Sequence, residues 1–277
     1  TINFTGNSSA INGTSANSQT FNNIIIAKTA GQTLSVGGSV TSLNVNGDFT
    51  LSSGVFAPGT IATVISGNWM NNGGSLTTGT GSITMNGSGK TIGGTSSTIF
   101  NNLTINNNVG GILLGKDQTV NGTLTLANGL LKLGSYNLTL GASAPAISGS
   151  GYSGNMIIAD GIGQVRKILT ANGSYTFPIG DAGPNYSPIT LNFVSGTYAA
   201  GAYVAVNVTN AKHPSNTSAS NYLTRYWSVS QSGISSFSCT VTGTYQYGDD
   251  VVGQEGLQNA AEYTGALPWI SYPTTLG

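Results

Sequence analysis

A repeat in the first half of the chain limits its possible folds more than any other sequence feature. Four blocks recur in the same order about 80 residues later, with small changes of spacing. The pairs are Ile2-x-Phe4-x-Gly6 with Ile83-x-Met85-x-Gly87, Ile11-x-Gly13 with Ile92-x-Gly94, Phe21-Asn22-Asn23 with Phe100-Asn101-Asn102, and Val45-Asn46-Gly47 with Val120-Asn121-Gly122. Such recurrence is typical of proteins whose units stack on one another to bury a shared core.

Short alternating runs inside each unit indicate strands. Leu103-Thr104-Ile105 and Leu124-Thr125-Leu126 alternate apolar with polar residues, which places the apolar side chains on one face of a strand. Pairs such as Gly110-Gly111 and Asn121-Gly122 permit sharp corners. An antiparallel sandwich and a parallel β-solenoid both fit. We favour a right-handed parallel β-solenoid, or β-helix, over residues 1–145, with its hand set by the crossover preference.

The composition changes near residue 150. Eleven of the twelve Tyr residues lie beyond that point, together with two of the three Trp residues. Longer alternating segments follow, and aromatic packing is typical of sandwiches. The sequence therefore predicts an antiparallel β-sandwich domain over residues 146–277. Its predicted strands cover 164–169, 187–194, 202–208, 222–230 and 236–247, with a short helix near 257–263.

The near absence of charge excludes several classes of protein. Only 6% of the residues are charged and the net charge is zero, so no basic surface for nucleic acid can form. No apolar run approaches the roughly 18 residues of a membrane-spanning helix. The single Cys239 excludes an internal disulfide. Its strand-like surroundings favour a buried small apolar residue over a reactive thiol.

The titratable residues do not form a recognisable catalytic set. His213 is the one histidine, and a proline follows it directly, so neither a Ser-His-Asp triad nor a zinc site is favoured. Asp48 and Asp117 occupy different positions of the repeat, and Asp117 next to Lys116 indicates a solvated turn. We expect no catalytic residues and no enzymatic activity.

One acidic stretch is a candidate calcium site. Asp249, Asp250 and Glu255 lie close together in sequence, and carboxylates are the ligands that calcium prefers. Their spacing is not the regular one of a calcium loop, so a solvated loop after Tyr247 is the simpler interpretation.

Four aromatic residues are candidates for stacking on sugar rings. They form two pairs, Tyr226 with Trp227 and Trp269 with Tyr272. Packing inside the predicted sandwich is the competing interpretation. Threonine pairs such as Thr123-x-Thr125 raise ice binding as a third possibility, although Asn and Ser interrupt the array.

Several motifs resemble a known class of protein. They are Gly67-Asn68-Trp69-Met70-Asn71-Asn72-Gly73, Gly79-Thr80-Gly81-Ser82-Ile83, Tyr175-Thr176-Phe177-Pro178-Ile179-Gly180-Asp181 and Arg225-Tyr226-Trp227-Ser228-Val229. With them the chain resembles the glycine- and asparagine-rich repeats of very large surface proteins of Bacteroidota, the group that uses type IX secretion. The resemblance implies an extracellular, adhesin-like protein with no defined activity. Members end in a sorting domain that this sequence does not show, so we expect a segment of a longer protein.

The first hypothesis is therefore that the chain has a structural or adhesive role at the outer cell surface. A carbohydrate-binding module is the second. Thr1-Ile2-Asn3-Phe4 opens on an alternating strand without a polar cap. We therefore expect the first coil to stack head-to-tail on an adjacent repeat or on another copy, giving a stalk or an open filament. Surface glycans are the other expected partner.

Overall fold

Residues 2–180 form stacked coils in which most strands pair in parallel, as the alternating runs predict. The computed structural model describes residues 1–107 and 109–273 of the chain. The coils stack in register, so that Ile24 pairs with Ile2 on one side and with Phe49 on the other. The strands of this part are β1 (Ile2–Gly6), β2 (Ser9–Phe21), β3 (Ile24–Lys28), β4 (Thr33–Val45), β5 (Phe49–Ser53), β6 (Val55–Gly59), β7 (Ala62–Ile65), β8 (Trp69–Asn71), β9 (Ser75–Thr78), β10 (Ser82–Met85), β11 (Lys90–Gly93), β12 (Ile99–Phe100), β13 (Asn102–Asn106), β14 (Ile112–Leu114), β15 (Gln118–Val120), β16 (Leu124–Asn128), β17 (Leu131–Lys132), β18 (Leu138–Leu140), β19 (Ile157–Ile158), β20 (Val165–Ile168), β21 (Gly173–Phe177) and β22 (Ile179–Gly180).

Three sheets form the sides of the solenoid. The first sheet has nine strands in the order β1-β3-β5-β8-β11-β14-β17-β19-β22. The second runs β16-β13-β10-β7-β4-β6-β9, with β2 also paired to β4. The third begins β12-β15-β18-β20 and continues into antiparallel strands. The predicted parallel β-solenoid is confirmed, whereas its right-handed sense stays a prediction.

The core follows directly from the period-two pattern. In β3 the inward residues Ile24 and Ile26 are buried, and in β16 the same holds for Leu124 and Leu126. Phe49 stacks on Trp69 from the next coil, with ring centroids 4.7 Å apart and planes only 7° from parallel. Apolar columns of this kind run along the axis, and each coil buries its inner face only because its neighbours are present.

Glycine is required where the chain turns against the coil below it. Gly129 has a φ of 93°, and a Cβ placed there would lie 1.5 Å from the carbonyl oxygen of Asn107. Only a residue without a side chain can make that corner.

The chain beyond residue 180 turns back on itself in antiparallel strands. The additional strands are β23 (Ile189–Thr209), β24 (Tyr222–Leu223), β25 (Tyr226–Gly243), β26 (Val251–Val252), β27 (Ala261–Glu262) and β28 (Ile270–Ser271). One helical turn, α1 (Tyr247–Asp250), and one 3₁₀ turn (Glu255–Leu257) complete the set. Strand β23 pairs with β20, β21 and β25. The predicted change from parallel to antiparallel pairing is confirmed.

Two details of the second half differ from expectation. The predicted helix near 257–263 is wrong, because that segment holds the end of the 3₁₀ turn and the short strand β27. The predicted strands 187–194 and 202–208 are one strand, β23, which continues through an irregular middle section.

The solenoid also continues past the boundary predicted at residue 145. Strands β19 and β22 extend the first sheet in parallel, and β20 pairs in parallel with β18. A single apolar cluster runs from Ile11 through the coils to Val208 and Ile234. The antiparallel sheet therefore closes the end of the solenoid and shares its core. Within the predicted second domain, residues 274–277 lie outside the described part of the chain.

The helical segments in the described part of the chain are short turns, and none is long and apolar enough to cross a bilayer.

Candidate functional site

A buried ion-paired triad joins the last coil of the solenoid to the antiparallel sheet. Arg225 stands immediately before β25. Its Nη1 lies 2.7 Å from Oδ2 of Asp181, and its Nε lies 2.8 Å from Oδ2 of Asp250. All three side chains are almost fully buried. Buried charges need such partners because removal from water is costly.

Further hydrogen bonds hold both carboxylates of the triad. Asp181 accepts the backbone N–H groups of Gly183 and Asn185, at 2.6 and 3.2 Å. Asp250 accepts the N–H of Gln246 at 2.7 Å. Burial acts to raise the pKa of Asp181, but its hydrogen bonds with Arg225 and the two N–H groups, together with the charge of Arg225, hold that pKa below its ordinary value.

The triad links two motifs that stand far apart in sequence. Asp181 ends the segment 175–181 and Arg225 begins the segment 225–229, the two motifs of the second half that carry the family resemblance. The Nη2 atom of Arg225 is buried and has no hydrogen-bond partner among the described residues. The arrangement fixes the loop after β22 against the start of β25.

The second feature is an aromatic cluster around His213, which we call the His213 cluster: His213, Tyr226, Tyr263 and Trp269. The ring of His213 lies 4.8 to 4.9 Å, centroid to centroid, from each of the other three rings. Trp269 donates its Nε1–H to the carbonyl of Ser215 at 3.3 Å. The backbone N–H of Ser215 in turn donates to Nδ1 of His213. The four rings are half-buried. They fasten the segment that contains β27 and β28 to the start of β25.

The structure brings together only two of the four candidate sugar-binding residues. Tyr226 and Trp269 both contact His213. Trp227 lies elsewhere, donating its Nε1–H to the carbonyl of Ser187 at 2.9 Å and packing against the core. Tyr272 is exposed, and its hydroxyl lies 2.6 Å from a carboxylate oxygen of Glu262, a hydrogen bond that raises the pKa of Tyr272.

The carboxylates of the candidate calcium site have separate partners. Asp250 is buried in the triad with Arg225. Glu255 accepts the hydroxyl of Tyr245 at 2.6 Å, while Asp249 is exposed. Burial and that hydrogen bond raise the pKa of Tyr245 to about 12. Across the described residues, no three His, Cys, Asp or Glu side chains are grouped so that they could hold a metal ion. The three carboxylates thus have separate surroundings, with Asp250 held in the triad, and calcium binding stays a prediction.

Two buried lysines, Lys28 and Lys167, bind the backbone at corners of the solenoid, a role that was not predicted for them. Nζ of Lys28 donates to the carbonyls of Thr5 and Asn7 and to the hydroxyl of Ser9, at 2.7 to 2.9 Å. Nζ of Lys167 donates to three backbone carbonyls between residues 141 and 144, at 2.6 to 3.1 Å, and lies over the ring of Tyr175. Burial lowers the pKa of Lys167.

Acidic and amide side chains form ladders at other corners. Oδ1 of Asp48 accepts the backbone N–H of Asn68 at 2.7 Å, and Oδ1 of Asp117 accepts that of Asn137 at 2.8 Å. Each pair is separated by 20 residues and so joins successive coils. Asp117 is exposed as predicted, but it also supports the coil that follows.

Comparison with known proteins does not add a functional assignment. No family model, no curated protein and no solved structure matches the chain. A functional proposal for this chain therefore rests on its sequence and on the geometry of the described residues.

Proposed function

We propose that this chain is a non-catalytic structural or adhesive segment of an extracellular surface protein. The observation that supports the proposal is the single core that runs through the stacked coils and into the antiparallel sheet. Each coil is joined to the next by a parallel ladder and by side-chain bonds at the corners. Because each coil buries its apolar face only against its neighbours, stacking holds the coils together as one continuous body.

The role includes contact with neighbouring repeats or further copies through the ends of the stack. Strand β1 pairs only with β3 among the described strands, and Ile2 is 45% exposed. An edge strand of this kind presents backbone groups to which another strand can be added. Attachment to adjacent coils would lengthen the rod without any change in its cross-section.

Labelling of the producing cells tests the proposed location and role. An antibody raised against this chain should bind intact cells, because the segment lies outside the outer membrane in this proposal. The same antibody should reduce attachment of the cells to surfaces, whereas an antibody to an internal protein should not. Labelling that appears only after the cells are permeabilised would contradict the proposal.

Carbohydrate binding is the second candidate, and the His213 cluster is the observation that favours it. Half-buried tyrosine and tryptophan rings next to hydroxyl and carbonyl groups are the elements from which sugar sites are made. A glycan array should then show specific binding that Trp269→Ala abolishes. Tyr152→Ala removes an exposed ring from the solenoid and should leave binding unchanged. Absence of binding by the unaltered chain would exclude this candidate.

A further inference from the structure

Seven asparagines in the chain are followed directly by glycine. In an Asn-Gly step the backbone nitrogen of the glycine can attack the side-chain amide before it, because glycine has no side chain to obstruct the approach. Five of the seven glycines lie outside strands, at turns between them: Gly47, Gly73, Gly87, Gly122 and Gly129. Whether the attack occurs in the folded chain depends on what holds the N–H of each glycine.

Four of these five N–H groups are held by hydrogen bonds. The acceptors are the carbonyls of Asn22 and Asn101 for Gly47 and Gly122, and the side-chain oxygens of Asn71 and Asn155 for Gly73 and Gly129, at 2.6 to 3.1 Å. A bonded N–H can react only after its hydrogen bond breaks and the corner opens locally. The folded corner therefore protects these four steps.

Gly87 is the exception among the five glycines. Its N–H donates to no acceptor in the described part of the chain, although the preceding Asn86 donates its own N–H to the carbonyl of Ile65 at 3.0 Å. The side chain of Asn86 is exposed, and Gly89 has a φ of 60° in the turn that follows. An exposed amide and an N–H without an acceptor thus stand on adjacent residues at one corner.

A neighbouring hydroxyl group activates the same amide. Oγ of Ser66, on the preceding coil, donates to Oδ1 of Asn86 at 2.8 Å. A donor at that oxygen makes Cγ more electrophilic and stabilises the negative charge that develops on Oδ1 when a nucleophile adds to Cγ. The corner therefore combines an activated electrophile with an adjacent nucleophile that no hydrogen bond restrains.

We propose that Asn86-Gly87 is a site of spontaneous deamidation, at which Asn86 becomes aspartate or isoaspartate. The backbone nitrogen of Gly87 loses its proton to solvent and forms a bond to Cγ of Asn86. The bond between Cγ and Nδ2 then breaks, and ammonia leaves with a proton taken from solvent. Water opens the resulting five-membered imide at either carbonyl. The overall reaction consumes water, releases ammonia and leaves a carboxylate in place of a neutral amide.

The product changes a corner that packs closely on the preceding coil. A Cβ on Gly87 would lie 1.8 Å from the carbonyl oxygen of Ser66, so the main-chain carbon that isoaspartate adds next to Gly87 fits only if the corner moves. The new carboxylate also adds negative charge to a chain whose net charge is zero. Deamidation therefore loosens one corner of the stack with time, a property that is independent of the proposed extracellular role.

Peptide mapping by mass spectrometry, on the full chain kept in mildly alkaline buffer, tests the proposal. Asn86 should deamidate about fivefold or more faster than Asn121, because reaction at Asn121 must first break the hydrogen bond that Gly122 donates. Asn121 is the matched control, since it is also exposed and also precedes a glycine at a corner. In urea the two steps should react at similar rates, which would show that the fold sets the difference.

A variant of the activating residue provides the second arm. Ser66→Ala should slow deamidation of Asn86 about threefold, the effect of removing one neutral hydrogen bond, and should leave the rate at Asn121 unchanged. Equal rates at Asn86 and Asn121 in the folded chain would overturn the proposal. An unchanged rate at Asn86 in the Ser66→Ala chain would overturn the role assigned to Ser66.

Discussion

Two lysines occupy positions where the alternation calls for an apolar side chain. Lys28 follows the inward residues Ile24 and Ile26, and Lys167 follows the inward residue Val165. Each buries its stem and ends on three oxygen atoms at a corner. A charged residue in phase with an apolar row is thus a readable signal for an internal clamp.

Replacement of a clamping lysine should be costly. Lys167→Met keeps the apolar stem but removes the donor to three backbone carbonyls, of which that of Gly141 keeps the N–H of Ala144. Each buried group left unsatisfied costs about 1–3 kcal/mol. Allowing for partial relaxation, we expect a loss of about 2–4 kcal/mol in the free energy of unfolding, measured by urea titration. Lys132→Met, at a partly exposed position of β17, is the control and should change stability by less than about 0.5 kcal/mol. Similar losses for both would refute the clamp.

Acid should weaken the triad through Asp181. Its pKa is lower in the folded chain than the ordinary value of 3.8, so the ionised carboxylate contributes stability that is fully present when the pH is well above that ordinary value. That contribution is lost as the pH falls through the folded-state pKa. In chemical unfolding measured from pH 6 down to pH 2, Asp181→Asn should be less stable at pH 6 and should show a shallower decline. Asp117→Asn, at an exposed corner, serves as the control. An Asp181→Asn chain with the same decline as the unaltered chain would contradict this account.

At the scale of strands and sheets, the sequence repeat does not match a whole number of coils. Ile2 lies in the first sheet and its counterpart Ile83 in the second, whereas Phe21 lies in the second sheet and Phe100 in the third. Each of these repeated blocks is therefore displaced by one side of the solenoid. Both phenylalanines still contact the same core, as the repeat predicts. The motif specifies an inward strand followed by a corner, and all sides of the coil need those two features.

The parts of the fold that can be predicted from the sequence are those that neighbouring residues decide. Local alternation and glycine corners fix strands such as β13 and β16, because neighbouring residues decide them. The residues of the His213 cluster come from two separate loops and one strand, so no local pattern unites them. The triad is hidden for the same reason, because Asp181 and Arg225 are 44 residues apart in the sequence and meet only in the folded chain. The end of the solenoid was placed too early because the Gly- and Ser-rich stretch near 145 is a loop between coils.

An inward substitution in one strand should disrupt the coils around it. Leu126 is fully buried in β16, and a buried unpaired carboxylate costs several kcal/mol. Leu126→Asp should therefore lower the free energy of unfolding by about 4 kcal/mol or more, with rapid amide exchange in the adjacent strands. Thr125→Asp places the same group on the outward side of the same strand and should cost about 1 kcal/mol or less. Equal effects would mean that inside and outside are wrongly assigned.

At the scale of the whole molecule, the shared core makes the antiparallel sheet part of the stability of the solenoid. Leu138 and Leu140 of β18 pair with Val165 and Lys167 of β20, which in turn pairs with β23. A fragment that ends at residue 145 lacks both covering strands and exposes the apolar face of its last coil. We expect the fragment 1–145 to aggregate or to melt without a sharp transition, and the fragment 1–252, which retains the triad, to melt cooperatively. Circular dichroism and light scattering on the two fragments test this.

A monomeric 1–145 fragment with a sharp transition close to that of the full chain would show that the coils do not need the sheet. The boundary indicated by the composition would then be a true domain boundary, and the triad would join two units that are each stable alone.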